Sequence, residues 1–232
     1  MRLLLSRIQG FEVWTFLAAL TLTLLGLVTM FTFTGDNSFF YRQLIWTGVA
    51  VVAFTAALSL DYRFLRTGNT TLWLYLGGTV LLVAVLFFGE VVKGAQSRFD
   101  LGAFSFQPSE PMKLILIAVL AKYFSKRHIL IGDFRHIFVS GLYAFVPFAL
   151  LFLQPDFGSA IIIFLIWMGM ILVSGISKKH LLALILVAII SFAGLWNFAF
   201  EDYQKERIMT FLHPLTNLQG SGYNTYQSTI AI

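Results

Sequence analysis

The stretch Leu72–Gly89, LWLYLGGTVLLVAVLFFG, runs for eighteen residues without a charged side chain. As a helix it would be about 27 Å long at 1.5 Å per residue, close to the roughly 30 Å hydrocarbon core of a bilayer. It has no polar face, and a helix that is apolar all round belongs in a large core or in a membrane. Working outward, six more segments of the same character follow the same reading: Val13–Phe33, Leu44–Leu60, Pro111–Phe124, Ile137–Leu153, Ser159–Val173 and Leu181–Phe200. Pro111–Phe124 is short unless Lys122 and Tyr123 belong to it and snorkel towards the interface. A soluble chain of 232 residues could bury one or two such helices, but not seven. The expected fold is an all-α, polytopic membrane helix bundle with about seven transmembrane helices, in one membrane domain over 1–232 that ends in a loop, 201–232.

Composition agrees. Apolar residues make up 58 % of the chain and charged residues 12 %, against about 25 % charged in soluble domains. The absence of cysteine excludes disulfides and thiolate metal sites. The net charge of +5 is spread over the loops between helices, so no nucleic-acid partner is expected. The first apolar run is too long for a signal-peptide core and lacks a small-residue cleavage site, which makes it a retained helix.

Orientation follows from Lys and Arg in short loops. With a cytoplasmic amino terminus, ten basic residues lie inside: Arg2, Arg7, Arg63, Arg66, Lys122, Lys126, Arg127, Arg135, Lys178 and Lys179. Six lie outside: Arg42, Lys93, Arg98, Lys113, Lys205 and Arg207. The expected topology therefore has the amino terminus in the cytoplasm and 201–232 outside. The longer outer segments, Val91–Glu110 and 201–232, are where chemistry is expected.

Two outer segments end alike: Gln107-Pro108-Ser109-Glu110 and Gln154-Pro155-Asp156. Proline disfavours helix before itself and suits a first turn, and Ser109 and Asp156 are good N-cap residues. Both segments read as helix starts, where free N–H groups and a positive dipole end suit a phosphate. Two helices that simply need starts would look the same. Glu110 and Lys113 share a helix face three residues apart. They form either a structural ion pair or a lysine held towards an anionic substrate. The Val91–Leu101 stretch, with Arg98 beside Phe99, reads as a re-entrant loop or as an interfacial belt. His128, His136, His180 and His213 lack metal-ligand spacing and read as interfacial.

The ordered outer motifs resemble the shape, elongation, division and sporulation family, which includes RodA, FtsW and SpoVE. They are Gly94-Ala95 with Arg98, Leu101-Gly102, Phe106 to Glu110 with Lys113, Gln154-Pro155-Asp156 with Gly158 and Ala160, Arg207-Ile208 with Phe211-Leu212 and Pro214, and Gly220-Ser221-Gly222-Tyr223-Asn224 through Gln227-Ser228 to Ile232. Tyr223-Asn224 and Gln227-Ser228 lean slightly towards RodA. The chain departs from the family pattern at Phe99, where tryptophan is usual, at Asp100, and at His213, where aspartate is frequent.

The resemblance implies a peptidoglycan glycosyltransferase of the bacterial cytoplasmic membrane, polymerising lipid II for elongation, shape or division. It implies a class B penicillin-binding protein as partner, besides lipid II and membrane lipid. No covalently bound cofactor is implied; a divalent cation, Mg or Mn, is the candidate cofactor. The family's helices number about ten and its catalytic aspartate follows a motif expected beyond Ile232. The chain thus reads as a carboxy-truncated fragment, inactive by itself, with no catalytic residue of its own. Candidate substrate-binding residues are Arg98, Phe99, Gln107, Ser109, Glu110, Lys113, Gln154, Asp156, Lys205, Arg207, Tyr223, Asn224 and Gln227. The alternatives are a flippase or other transporter of lipid-linked precursors, and a non-catalytic scaffold of the elongation or division machinery. Transport is disfavoured because no internal repeat is visible and most midplane stretches carry no charge.

Overall fold

The computed structural model describes residues 13–33, 38–92, 95–100, 102, 104–125, 134–198, 200, 202–212 and 227. The chain divides into two compact units, 1–64 and 65–232.

The first unit holds α1 (Val13–Phe33) and α2 (Ser38–Ser59), which pack on each other through the stacked rings of Phe16 and Phe54, 4.9 Å apart. Thr21, Thr23, Thr29 and Thr47 each donate their hydroxyl to the carbonyl four residues earlier. This back-bonding is how a polar side chain satisfies itself on a helix surrounded by hydrocarbon.

The second unit contains α3 (Thr70–Phe88), α4 (Ser109–Ser125), α5 (Phe134–Leu153), α6 (Phe157–Val173), α7 (Lys178–Phe198) and α8 (Asp202–Leu212). Helices α3 to α6 pack on one another around a core that includes Leu82, Met112, Leu116, Leu151 and Ile163, all fully buried. Outside that core the surface is apolar: Trp73, Val80, Phe87, Phe88, Leu114 and Ile190 are largely exposed. Water does not tolerate so large an apolar surface on a soluble monomer, and a bilayer does.

The membrane helix bundle read from the sequence is the one observed. Five helices, α1, α2, α3, α5 and α7, are long and apolar enough to span. The other two, α4 and α6, have 17 residues each, the lower end of the spanning range. Helix α4 does continue through Lys122 and Tyr123. Lys122 donates to the Gly68 carbonyl (2.7 Å) and to Thr71 Oγ1 (3.0 Å).

One expectation needs correction. The segment after α7 is not wholly loop, because α8 occupies Asp202–Leu212. Phe200, just before it, is buried against Phe157, Phe192 and Trp196. The described part of the Val91–Leu101 stretch belongs to a three-stranded antiparallel sheet of β1 (Glu90–Val92), β2 (Ala95–Asp100) and β3 (Ser105–Phe106).

One buried joint explains how α5 carries a proline within the bilayer. Pro147 lies inside α5; it has no N–H, so the carbonyl four residues earlier, that of Tyr143, loses its helical donor. The Tyr75 hydroxyl of α3 donates to that carbonyl at 2.9 Å, which is how neighbouring helices repair a broken ladder in lipid. Tyr75→Phe is expected to destabilise the protein by about 1–2 kcal/mol, since it orphans a part-buried acceptor. Thermal unfolding in detergent checks this, and an unchanged midpoint would remove the assignment.

Candidate functional site

The candidate site is built at the end of the bundle where α3 finishes and α4 and α6 begin. Helix α3 stops at Gly89, whose N–H returns to the Val85 carbonyl at 2.8 Å. The chain then pairs β1 with β2, Glu90 opposite Arg98 and Val92 opposite Ala95, with a register shift between Glu90 and Val91. Between β2 and β3, Gly102 adopts a positive φ of 77°, and Asp100 Oδ1 accepts from its N–H at 2.7 Å. Asp100 thus stabilises a turn that glycine makes without steric penalty. Phe99 lies opposite Phe106 in the register, which leads the chain into α4.

The two Gln-Pro segments meet here and brace one another. Gln107 Nε2 donates to Asp156 Oδ2 at 3.0 Å. Ser109 Oγ and Ser159 Oγ lie 3.4 Å apart, both residues buried. Asp156 is the N-cap of α6, as its residue type led one to expect, and its Oδ1 accepts from the Ser159 N–H at 3.2 Å. Ser109 is not a cap but the first residue of α4; its hydroxyl faces Ser159 instead. At the start of α4, Pro111 has no N–H and Glu110 donates its own to the Gln107 carbonyl. A carboxylate already fills the start of α6 and two of the N–H groups at the start of α4 are lost. The helix starts therefore act mainly as joints, and cations must supply any anion recognition.

Gln154 ties this end together. It is 1 % exposed, its Nε2 donates to the Leu82 carbonyl of α3 at 2.7 Å, and its backbone carbonyl accepts from the Gln96 N–H of β2 at 3.2 Å. Gln96 Nε2 in turn donates to the Gly89 carbonyl at 2.8 Å. Gln154 Oε1 is buried without a hydrogen-bond partner. Turning the amide over would set oxygen against the Leu82 carbonyl, so the observed orientation is the better one.

The cations differ in their company. Lys113 Nζ lies 2.8 Å from Glu110 Oε1, with the lysine side chain 17 % exposed and the glutamate 62 %. Arg98 is half-buried on β2 and forms no ion pair among the described residues. Lys205 is half-buried on α8. Arg207 lies on that helix too, but its side chain falls outside the described residues, as do Tyr223 and Asn224. Gln227 is exposed. His136 Nδ1 pairs with the Tyr123 hydroxyl at 3.0 Å and His180 Nδ1 with Ser177 Oγ at 2.9 Å, both partners that suit interfacial residues; His128 and His213 lie outside the described residues.

The structure therefore brings together Gln107, Ser109, Gln154 and Asp156. Gln96, Ser159 and Gly89 join the same cluster, although the sequence reading did not single them out. The contacts of Ser159 with Ser109 and of Gln96 with Gln154 join residues distant in the chain, so spacing does not mark them.

A family model described as a cell cycle protein, FtsW/RodA/SpoVE, matches residues 6–232. The chain is 36 % identical to stage V sporulation protein E of Bacillus subtilis over 85 % of its own length and 54 % of that protein. It is 35 % identical to the peptidoglycan glycosyltransferase MrdB of Escherichia coli, over 69 % of its length and 43 % of the relative. Among solved structures, it matches a chain described under "Structural coordination of polymerization and crosslinking by a peptidoglycan synthase complex", with TM-score 0.79, 30 % identity, and 96 % and 65 % of the two chains covered. It also matches the rod shape determining protein RodA of Thermus thermophilus, with TM-score 0.69, 28 % identity, and 80 % and 60 % covered. The chain spans about half the length of the curated relatives it matches.

Proposed function

The chain belongs to the FtsW/RodA/SpoVE family of cell cycle proteins, and from that premise we propose that the whole protein is a peptidoglycan glycosyltransferase that polymerises lipid II. The observation that carries this reading is the braced end of the bundle, where a sheet and two interlocked helix starts carry Arg98 and Lys113. Lipid II pairs a pyrophosphate at the interface with sugars beyond it, and Arg and Lys are the side chains that receive phosphate.

In sugar transfer an acceptor hydroxyl attacks the donor's anomeric carbon, and the bond to the lipid pyrophosphate breaks. Arg98 and Lys113 neutralise the pyrophosphate as it leaves, which is the usual electrostatic contribution to such a step. A carboxylate must take the hydroxyl proton. Asp156 is occupied by Gln107 and the Ser159 N–H, so it is not free to act as that base. The remaining substrate-binding assignments, from Phe99 through Gln227, belong to the same proposal. Among the described residues no three His, Asp or Glu converge as metal ligands. No step is therefore routed through a divalent cation.

The named relatives support the activity, and the description of the synthase complex supports a cross-linking partner of the class B penicillin-binding type. The excess of basic residues in alternate loops supports a cytoplasmic amino terminus, which sets the braced end and 201–232 outside the cytoplasmic membrane.

The test is incorporation of purified lipid II into glycan strands by the intact protein with its transpeptidase in liposomes. A folded, partnered, intact protein that moves lipid II across the bilayer but lengthens no strand would replace this reading with the transport one. Arg98→Ala is expected to raise the apparent KM for lipid II by roughly three- to tenfold, the loss of one charge–phosphate contact, with the unfolding temperature nearly unchanged. An unaltered KM would make Arg98 an interface anchor.

A further inference from the structure

A second polar site lies at the other end of the same helices. A cavity of about 180 Å³ is walled by Thr71, Tyr75, Val119, Lys122, Tyr123 and Tyr143, with Leu72 at its edge. The first turn of α3 and the last turn of α4 meet there, a whole helix length from Gly89 and the sheet. The volume is about ten times what a single water needs.

We propose that this cavity binds a phosphate group, and that the Lys122 ammonium is its charged anchor. Lys122 is half-buried, and its two protein acceptors, the Gly68 carbonyl and Thr71 Oγ1, are both neutral. No carboxylate pairs with it among the described residues. A lysine has three N–H donors, so one remains for a ligand, and among the described residues no carboxylate compensates the positive charge. Thr71 is 5 % exposed and accepts from Lys122, which leaves its own hydroxyl hydrogen to donate. Three tyrosines line the same space. The first-turn N–H groups of α3 adjoin it and have no side-chain cap, since Asn69 makes none; they add to the positive field but do not define the site.

If Lys122 only snorkelled and strapped the 67–69 turn to α4, its two hydrogen bonds would be explained. The cavity beside it, the buried hydroxyl and the missing counter-charge would not. The phosphate could come from an anionic lipid headgroup or from a soluble phosphate ester. Leu72, 45 % exposed, carries the apolar surface of the bundle to the cavity's edge, as an acyl chain would need.

The experiment uses the full-length protein in detergent, titrated with phosphatidylglycerol and read by native mass spectrometry. Soluble glycerol phosphate is added as competitor in a second arm. Lys122→Met is expected to weaken lipid retention by roughly five- to tenfold, with Lys122→Arg retaining it. Thr71→Val, which keeps the charge, should lose a smaller factor. Displacement by millimolar glycerol phosphate would support a soluble source for the phosphate. Retention against it, with loss in Lys122→Met, would support a lipid headgroup. Wild-type retention by a folded Lys122→Met protein would overturn the proposal and leave Lys122 as a strap. Should Lys122→Met fail to fold, the Thr71→Val titration decides, with unchanged retention counting against the site. Because lipid II is absent from both arms, the result is independent of the polymerase reading.

Discussion

Lys113→Ala in the intact protein is expected to lower lipid II polymerisation by roughly ten- to a hundredfold while barely moving the unfolding temperature. The asymmetry of the ion pair is the reason. Lys113 is 17 % exposed and Glu110 is 62 % exposed, so removing the lysine leaves a carboxylate that is already largely hydrated. Its loss of a partner costs little, as for surface pairs generally. Removing Glu110 does the reverse, stranding a mostly buried ammonium, which is the expensive half of such a pair. Glu110→Ala should therefore lower stability more than Lys113→Ala does. The activity term is separate. A charge-assisted hydrogen bond to a phosphate contributes about 1.5–3 kcal/mol, and about 1.4 kcal/mol is a factor of ten in rate. Strand synthesis and thermal unfolding measured on both variants separate the two roles. If Lys113→Ala polymerises like the wild type, the pair only ties the start of α4 to its neighbours.

Gly89→Ala is expected to destabilise the protein by about 2–3 kcal/mol, the range for forcing volume into a packed joint, and to abolish activity by displacing β2. Gly89 sits at φ −74° and ψ 153°, an extended conformation open to any residue, so the cost is purely steric. A Cβ there would collide with the Val85 carbonyl oxygen and fall 3.2 Å from that of Arg98. Both are backbone atoms and cannot turn away, and Val85 itself is fully buried. Relief would require separating the end of α3 from the strand that carries Arg98. Gly77 on the same helix is the control, because nothing lies within 4 Å of its Cβ. Gly77→Ala should be neutral or slightly stabilising, given alanine's better helix propensity. Equal unfolding temperatures for the two variants would show that the joint at Gly89 yields freely.

Much of this protein is legible in its sequence, for a definite reason. Whether eighteen residues can cross hydrocarbon depends on those residues alone, so the bounds of α1 could be read directly and five other helices to within two or three residues at their starts, while α2 begins six residues earlier, at Ser38. The order of the outer motifs is also a property of the chain, and it pointed to the family. The cap at Asp156 was readable too, because its acceptor and donor lie three residues apart.

What the chain could not reveal is what each polar group does once the helices pack. Gln107 meets Asp156 across 49 residues, Ser109 meets Ser159 across 50, Tyr75 meets the Tyr143 carbonyl across 68, and Gln154 meets the Leu82 carbonyl across 72. Viewed locally, two Gln-Pro helix starts are equally good phosphate sites and equally good joints, because the same N–H groups and dipole serve both. Only the tertiary structure, by setting a carboxylate and an amide between them, made them joints. The sheet was hidden for a similar reason: strands of two, three and six residues carry too little alternation to register, and it is Gln96, bonded to Gln154 and Gly89, that ties them to the helices. Sequence by itself determined which segments enter the membrane, since transfer into lipid is summed residue by residue. Tertiary structure decided which buried donors and charges remain available, since that depends on partners the chain brings together only when it folds.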